Sequence, residues 1–232
     1  MKLKVADLIF DIEVKGSMLS SRVGRYEYKG EEESNFTFTK IPHEFYNMKS
    51  EDDKNITYDE AEYLYSGTFF YAQLTNFPGV MLHASCVEYE GKAYLFSAPS
   101  GTGKSTHTHL WLKYLKGARI VNDDKPAIRC IDGVFYAYGT PWSGKTDESI
   151  NAGFPIAGIC FLQRGENEIK RVSGIKALKY FMDQTVRPAN KERMLKTMDI
   201  VNEILTQVPI YEMTCDISRE AVMSAYEGMR NA

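Results

Sequence analysis

The chain has 232 residues and a formal net charge of −3, and its 44% hydrophobic and 25% charged residues are typical of a globular protein with a full core. No apolar run reaches the roughly 20 residues that a membrane helix needs, and the N-terminus lacks the apolar region of a signal peptide, so we expect a cytoplasmic protein that binds no membrane. Because acidic and basic residues are mixed, no general basic field favours nucleic acid, and any recognition of phosphate has to be local.

The first part of the chain is predicted to be a small β-rich segment. Short stretches at residues 8–14 and 35–39 alternate apolar and polar positions, which predicts antiparallel strands joined by polar turns. The acidic runs 31–33 and 51–53 are interpreted as solvated turns. From Tyr58 the apolar spacing becomes helical and stops at residues 76–79, so residues 1–79 are predicted as a β-rich segment plus a linking helix.

Residues 80–232 are predicted to form one core in which strands alternate with helices. The predicted strands cover residues 92–97, 118–121, 157–162 and 209–215, with a hairpin over 128–138. The predicted helices cover residues 104–115, 175–185, 191–207 and 218–229. This order indicates an α/β fold with a mixed sheet.

The four cysteines are widely spaced, and no pair has the spacing of a zinc site. Each lies in an apolar or strand-like stretch, so we expect reduced, buried and inert thiols at Cys86, Cys130, Cys160 and Cys215.

A phosphate-binding loop is predicted between the strand at 92–97 and the helix at 104–115. Residues 98–106 fit the P-loop pattern G-x-x-x-x-G-K-[ST], except that Ala98 replaces the first glycine. A loop that opens a helix directs free backbone N–H groups and the positive helix end at one point, which attracts phosphate. The predicted nucleotide-binding residues are Ser100, Gly101, Thr102, Gly103, Lys104, Ser105 and Thr106. An ordinary glycine-rich turn before a helix is the alternative interpretation.

Within this loop the residue types suggest separate tasks. Gly101 and Gly103 allow positive φ, Lys104 can reach the β- and γ-phosphates, and the Ser105 hydroxyl is placed to coordinate Mg²⁺. The sequence therefore predicts ATP and Mg²⁺ as ligands.

Two adjacent carboxylates, Asp123 and Asp124, follow the next strand. The carboxyl ends of parallel strands meet at one sheet edge, so we expect both residues to face the P-loop. Neighbours on an extended chain point in opposite directions, so one carboxylate can serve Mg²⁺ while the other accepts the proton of an attacking hydroxyl. An Asp-Asp turn without function is the alternative.

Further candidates lie outside these two motifs. His83 is predicted to begin a strand that pairs with the one leading to the P-loop, where either a structural or a catalytic role is open. Residues 138–146 have the composition of a ligand-contacting loop, and Arg187 is a further candidate cation. The residues proposed to contact phosphate or the acceptor are Thr140, Trp142, Lys145 and Arg187. His107 and His109 are interpreted as surface or packing residues.

Taken together, these motifs resemble the kinase domain of HPr kinase/phosphorylase and its structural relative, ATP-dependent phosphoenolpyruvate carboxykinase. The resemblance is carried by His83, by residues 97–106, by Asn122-Asp123-Asp124 and by residues 139–144, and it is greatest to small HPr-kinase-like proteins, including those associated with peptide-modification clusters. It implies a P-loop kinase core in which Lys104 and the loop amides bind the phosphates and Ser105 and Asp123 serve the metal.

The same resemblance implies that the Asp123/Asp124 pair supplies the metal-side carboxylate and the general base, with His83 beside the phosphate in transfer. The further Mg²⁺-binding Glu of the family is not found, so neither HPr as acceptor nor phosphorylase activity is predicted. Relatives by resemblance are often oligomers, which leaves a homo-oligomer open.

The sequence therefore predicts an ATP- and Mg²⁺-dependent kinase that phosphorylates an unidentified hydroxyl of a protein, a peptide or a small molecule. A nucleotide-binding sensor or scaffold without turnover is the alternative from another class, and a carboxykinase-type enzyme is the third, which the short chain disfavours.

Overall fold

The structure, a computed structural model, describes residues 1–230 and has a mixed α/β architecture. The strands are β1 (Lys2–Val5), β2 (Leu8–Ile12), β3 (Phe36–Phe38), β4 (Gly79–Met81), β5 (Ala84–Tyr89), β6 (Lys92–Ser97), β7 (Arg119–Asn122), β8 (Ala127–Ile131), β9 (Val134–Tyr138), β10 (Gly153–Arg164), β11 (Glu168–Val172) and β12 (Ile210–Cys215). The helices are α1 (Ser17–Val23), α2 (His43–Asp52), α3 (Tyr58–Leu74), α4 (Lys104–Tyr114), α5 (Gly174–Gln184), α6 (Lys191–Gln207) and α7 (Arg219–Met229). Across residues 1–230, no helix has both the length and the apolar character needed to cross a membrane.

The N-terminal segment contains more helix than its sequence pattern predicts. Strands β1 and β2 are antiparallel, but β3 pairs with β2 in parallel, so the prediction of antiparallel strands is correct only for the first pair. The helices α1 and α2 were not predicted, because helices of 7 and 10 residues are too short for apolar periodicity to distinguish them from other structure. Glu51 and Asp52 consequently lie in the last turn of α2 rather than in a free turn.

The linking helix α3 is confirmed, and its beginning has a local cause. The Thr57 side chain accepts a hydrogen bond from the Glu60 backbone N at 3.2 Å, and the Glu60 carboxylate accepts one from the Thr57 backbone N at 2.8 Å. This reciprocal capping box satisfies two donors that a helix start would otherwise leave free.

The large sheet brings several chain segments to one edge. Its strand order is β4-β8-β9-β10-β6-β5-β7, and β12 extends it by pairing with β10 and β11. Because β5 is antiparallel to both β6 and β7, the carboxyl ends of β6 and β7 and the start of β5 lie at the same edge. The loop after β6, the Asp pair after β7 and His83 before β5 are therefore neighbours.

The predicted hairpin, the helices of the second part and the strands at β6, β7, β10 and β12 are confirmed. The hairpin β8–β9 turns at Asp132 and Gly133, both with positive φ, as a two-residue turn of this hand requires. β10 begins four residues before its predicted start, at Gly153, and β4 and β11 were not predicted.

One apolar core crosses the predicted boundary near residue 79. It packs side chains of β1, β2, α1 and α3 against Tyr138 and Trp142 of the second part. All four cysteines are free thiols, as predicted; Cys86 and Cys160 are buried, which raises the pKa of both, whereas Cys130 and Cys215 are only half-buried.

Candidate functional site

The P-loop segment, residues 98–106, connects β6 to α4 and leaves the start of that helix open. Gly101 and Gly103 have φ of +77° and +121°, a left-handed region in which residues with a side chain are strained. No side chain caps α4, and its first turn contains no acidic residue. The free N–H groups and the positive end of an 11-residue helix therefore remain available to an anion.

Lys104 lies across this loop and is largely buried. Its Nζ donates to the Ala98 backbone O at 3.0 Å. Burial lowers the pKa of Lys104, and the nearby Asp124 and Asp123 carboxylates oppose that effect. The lysine thus occupies the space between the loop and the two carboxylates.

Asp123 is buried and held by two hydroxyl groups. Ser85 donates to its Oδ1 at 2.7 Å and Thr146 donates to its Oδ2 at 3.0 Å. Only 6% of the residue is exposed. The two hydroxyl donors therefore fix the orientation of the carboxylate.

Asp124 faces a different set of groups. Its Oδ1 lies 3.1 Å from His83 Nε2, and Lys125 donates to its Oδ2. Burial on its own would raise the pKa of Asp124, but the hydrogen bond from His83 and the charge of Lys125 outweigh burial and lower the pKa to about 2. The two neighbouring carboxylates therefore have separate environments, as their positions on an extended chain predict.

His83 bridges Asp124 and the end of α5. Its Nδ1 lies 3.1 Å from the Gln184 amide Oε1, and its backbone N donates to the Gln184 backbone O at 2.7 Å. With an amide oxygen at Nδ1 and a carboxylate at Nε2, both ring nitrogens face acceptors.

A cleft of about 950 Å³ joins these groups. Of the predicted residues, it is lined by His83, Ser100, Gly101, Gly103, Lys104, Ser105, Thr106, Asp123, Asp124 and Lys145. The remaining lining includes residues that the sequence pattern did not indicate, which we call the N-terminal wall: Met18, Arg22, Asp53, Ile56, Glu60, Tyr63 and Leu64. The N-terminal segment thus forms part of the candidate site.

Three of the predicted contacts are not at the cleft. Trp142 is 1% exposed, stacks on Phe70 at a ring-centroid distance of 4.8 Å and donates from Nε1 to Ser66 Oγ at 3.1 Å, so the expectation that it contacts a ligand is wrong. Its ring lies against Gly67 of α3, where a Cβ would come within 2.8 Å of the indole.

Thr140 is also fully buried: its Oγ1 meets Tyr71 Oη at 3.0 Å and accepts from Asn122 Nδ2 at 3.1 Å, so it secures the loop rather than contacting a ligand. Arg187 is exposed and lines neither this cleft nor the cavity described next. Of the loop candidates, Lys145 alone reaches the cleft.

A second cavity, of about 390 Å³, borders the same P-loop segment. Thr102, Gly103 and Thr106 line it together with the apolar side chains of Leu110, Leu162 and Ile217. His107 also lines it and is 3% exposed; burial lowers its pKa to about 4, so its ring is neutral at pH 7. His107 is therefore the packing residue that the sequence predicts, and His109 lies at the surface against Glu148 at 2.9 Å.

Arg164 is another residue that the sequence pattern did not indicate. It stands at the end of β10, and its Nη2 donates to the Gly101 backbone O at 2.8 Å. A guanidinium bonded to a loop carbonyl adds positive charge beside the P-loop segment. No local motif marks such a residue, because its partner is 63 positions away.

No protein-family model matches the chain, and no curated protein matches it. Among solved structures, the chain is similar to the Hpr(Ser) kinase/phosphatase from Coxiella burnetii, with a TM-score of 0.38 and 9% sequence identity, over 62% of this chain and 91% of that one. A similarity of this size does not assign a function to the chain.

Proposed function

We propose that this protein is a phosphotransferase that uses Mg²⁺ and ATP to phosphorylate a hydroxyl group. One observation carries the proposal: an uncapped helix start with Lys104 shares a cleft with two carboxylates that have different partners. Phosphoryl transfer needs phosphate binding, charge neutralisation and an acceptor-side base, and this cleft offers a group for each.

ATP suits the two adjoining cavities. The free N–H groups of α4 and Lys104 provide donors for the β- and γ-phosphates. The smaller cavity, beside Thr102 and Thr106, combines apolar side chains and a neutral His107 with the polar side chains of Gln163, Arg164 and Asp216, which suits a flat, uncharged base with hydrogen-bonding edges. Because both cavities border the same loop, one nucleotide can occupy them together.

The donor set also fits Mg²⁺. Ser105 and Asp123 would hold it, and within the described residues no group of three or more His, Cys, Asp or Glu side chains forms a cage of its own. Mg²⁺ usually binds one or two carboxylates plus substrate phosphates and water, so a single carboxylate and a hydroxyl suffice. When bound, the ion neutralises phosphate charge during transfer.

We assign the acceptor-side base to Asp124. It lines the cleft next to His83, whose ring lies 3.1 Å from its Oδ1 and orients the carboxylate toward the cleft. The negative charge of bound phosphate would oppose the influence of Lys125 and His83 on Asp124 and favour proton uptake by the carboxylate, against the positive charge of Mg²⁺.

The low pKa of Asp124 supports a second candidate, a nucleotide sensor without turnover. A carboxylate held at a pKa of about 2 by His83 and Lys125 is a weak base. Tight binding of Mg²⁺ and ATP with no phosphoryl transfer, to water or to any other acceptor, would favour this candidate over the kinase.

The proposal is tested by incubating the protein with γ-labelled ATP, Mg²⁺ and fractionated cell extract. Wild type should label an acceptor, and Lys104→Ala should reduce labelling by at least about 100-fold because it removes the charge that faces the phosphates. Lys113→Ala is the matched control, since Lys113 lies on the same helix and does not line the cleft. Equal labelling by wild type and Lys104→Ala would refute the proposed site.

A further inference from the structure

The hydrogen bonds of Tyr63, in the N-terminal wall, leave one proton without a partner. Its Oη accepts from the Gly144 backbone N at 3.1 Å and from Arg22 Nη1 at 3.0 Å. A phenol can accept both bonds and still has one proton to donate. Among residues 1–230 no group accepts that proton, although Tyr63 is only 8% exposed. Because Tyr63 lines the cleft, an acceptor atom of a ligand there can take the hydrogen bond from this proton.

Arg22 adds positive charge at the same point. Its guanidinium stacks on the Tyr63 ring at 4.7 Å and donates from Nη1 to the Gly144 backbone O at 2.6 Å, and only 9% of the residue is exposed. An Asp147 carboxylate oxygen is 3.9 Å from Arg22 Nε, and that carboxylate forms a closer bond, of 2.9 Å, with Arg25. Two guanidinium groups therefore share one carboxylate, and a net positive charge remains.

The two acidic residues of the N-terminal wall form their hydrogen bonds with groups other than Tyr63 and Arg22. The Glu60 carboxylate caps α3 through Thr57, and the Asp53 carboxylate accepts from the Asn55 backbone N at 2.9 Å. Burial raises the pKa of Tyr63, Arg22 opposes that effect, and the Asp124 and Asp147 carboxylates add to it, so the phenol keeps its proton at pH 7. Asp124 is itself paired with Lys125, and Asp147 with Arg25. The subsite thus offers a neutral O–H donor above a buried cation.

The position of Tyr63 relates this donor to the reacting groups. Gly144, which donates to Tyr63, lies so close to Asp124 that a Cβ on it would come within 2.8 Å of the Asp124 Cβ. Tyr63 is therefore separated from the assigned base by a single residue. Lys145, next to Gly144, lines the same cleft.

We propose that the Tyr63 hydroxyl and the Arg22 guanidinium form a subsite for an anionic oxygen. This inference rests on the proposed function. The oxygen belongs either to the phosphoryl group in transfer or to a carboxylate or phosphate on the acceptor. Either source supplies the negative charge and the lone pairs that complement the Tyr63 hydroxyl and the Arg22 guanidinium.

The test compares Tyr63→Phe with wild type by calorimetric titration of inorganic phosphate. One arm uses protein loaded with Mg²⁺ and ADP, so that phosphate reports the γ-position. The other uses protein loaded with Mg²⁺ and the imido analogue of ATP, so that phosphate reports an acceptor anion. We expect Tyr63→Phe to weaken phosphate binding by about 10- to 100-fold in one arm, and that arm identifies the source.

Tyr65→Phe is the matched control, because Tyr65 lies on the same helix, packs on Phe45 at 4.7 Å and does not line the cleft. It should change phosphate binding by less than about two-fold. Arg22→Lys keeps the charge and loses the guanidinium geometry, so a loss of binding comparable to that in Tyr63→Phe is expected. Unchanged phosphate binding by Tyr63→Phe in both arms, or no phosphate binding by wild type in either arm, would overturn the subsite.

Failure of the nucleotide site gives a different result. If wild type does not bind Mg²⁺ and ADP, the proposed function is refuted, and phosphate is then titrated into the ligand-free protein. A loss of phosphate binding in Tyr63→Phe but not in Tyr65→Phe under those conditions still supports the subsite, whereas equal binding by all three proteins rejects it.

Discussion

The two sides of the candidate cleft are built in contrasting ways. The P-loop segment is continuous in sequence, and its groups converge because a strand, a glycine-containing loop and a helix follow one another. The N-terminal wall is assembled from α1, α3 and the turn between α2 and α3, and it is held to the second part by contacts such as Arg22 to Gly144 across 122 residues. A motif of consecutive residues can be identified from the sequence, whereas a surface that forms only when distant segments pack together cannot.

The largest effect is expected on the P-loop side, from Asp124→Asn. Without a base, transfer should fall by about 10²- to 10⁴-fold while the affinity for Mg²⁺ and ATP changes little. Labelled-ATP transfer and calorimetric binding measure the two quantities. Asp132→Asn is the control, because Asp132 lies in the β8–β9 turn with a positive φ that asparagine tolerates. A loss of transfer below about five-fold in Asp124→Asn would place the base elsewhere.

Trp142→Ala addresses the connection between the two sides. Removing a ring that is 1% exposed and stacked on Phe70 should lower the free energy of unfolding by about 3–5 kcal/mol. Trp142→Phe should cost less, because it retains a stacked ring and loses the hydrogen bond to Ser66. Urea denaturation gives both values. If Trp142→Ala leaves stability unchanged and weakens nucleotide binding, the ring is a ligand contact after all.

The stability of the protein at acid pH tests the environment of Asp124. The pKa of Asp124 is lowered from 3.8 to about 2 in the folded protein, so the folded state gains stability that is present above about pH 4 and is lost as the pH falls toward 2. This shift corresponds to about 2 kcal/mol. Urea denaturation at several pH values should show a steeper acid decline for wild type than for Asp124→Asn, and parallel curves would contradict the assigned ion pairs with His83 and Lys125.

The sequence predicted most of what is local. The hairpin at Asp132-Gly133, the start of α3 at Tyr58 and the strand-loop-helix order around Lys104 each depend on neighbours in the chain. Trp142 was misassigned as a ligand contact because the composition of its loop does not show that α3 packs against it. Gly67 of α3 leaves room for the indole ring. Tyr63 carries no local signal at all, since its two donors come from residues 41 and 81 positions away.

Arg25→Met is expected to have the smallest effect on stability and transfer. It tests whether the N-terminal wall positions the reacting groups on the P-loop side of the cleft. Arg25 donates to the Asp147 carboxylate at 2.9 Å and to the Ser149 backbone O at 2.8 Å, so it ties the N-terminal segment to the loop that carries Thr146. Its partial exposure limits the loss of unfolding free energy to about 1 kcal/mol.

Arg119→Met is the matched control. Arg119 also forms an ion pair, with Glu88 at 2.7 Å, but its side chain is more exposed than that of Arg25 and lies outside the cleft. Both variants should lose similar, small amounts of stability in urea, but transfer should fall, by about three- to ten-fold, in Arg25→Met alone. The reason is that Thr146 positions Asp123 through its hydroxyl, and a loosened loop displaces that donor. Equal transfer rates in the two variants would show that the N-terminal segment contributes surface to the cleft without positioning the groups that react.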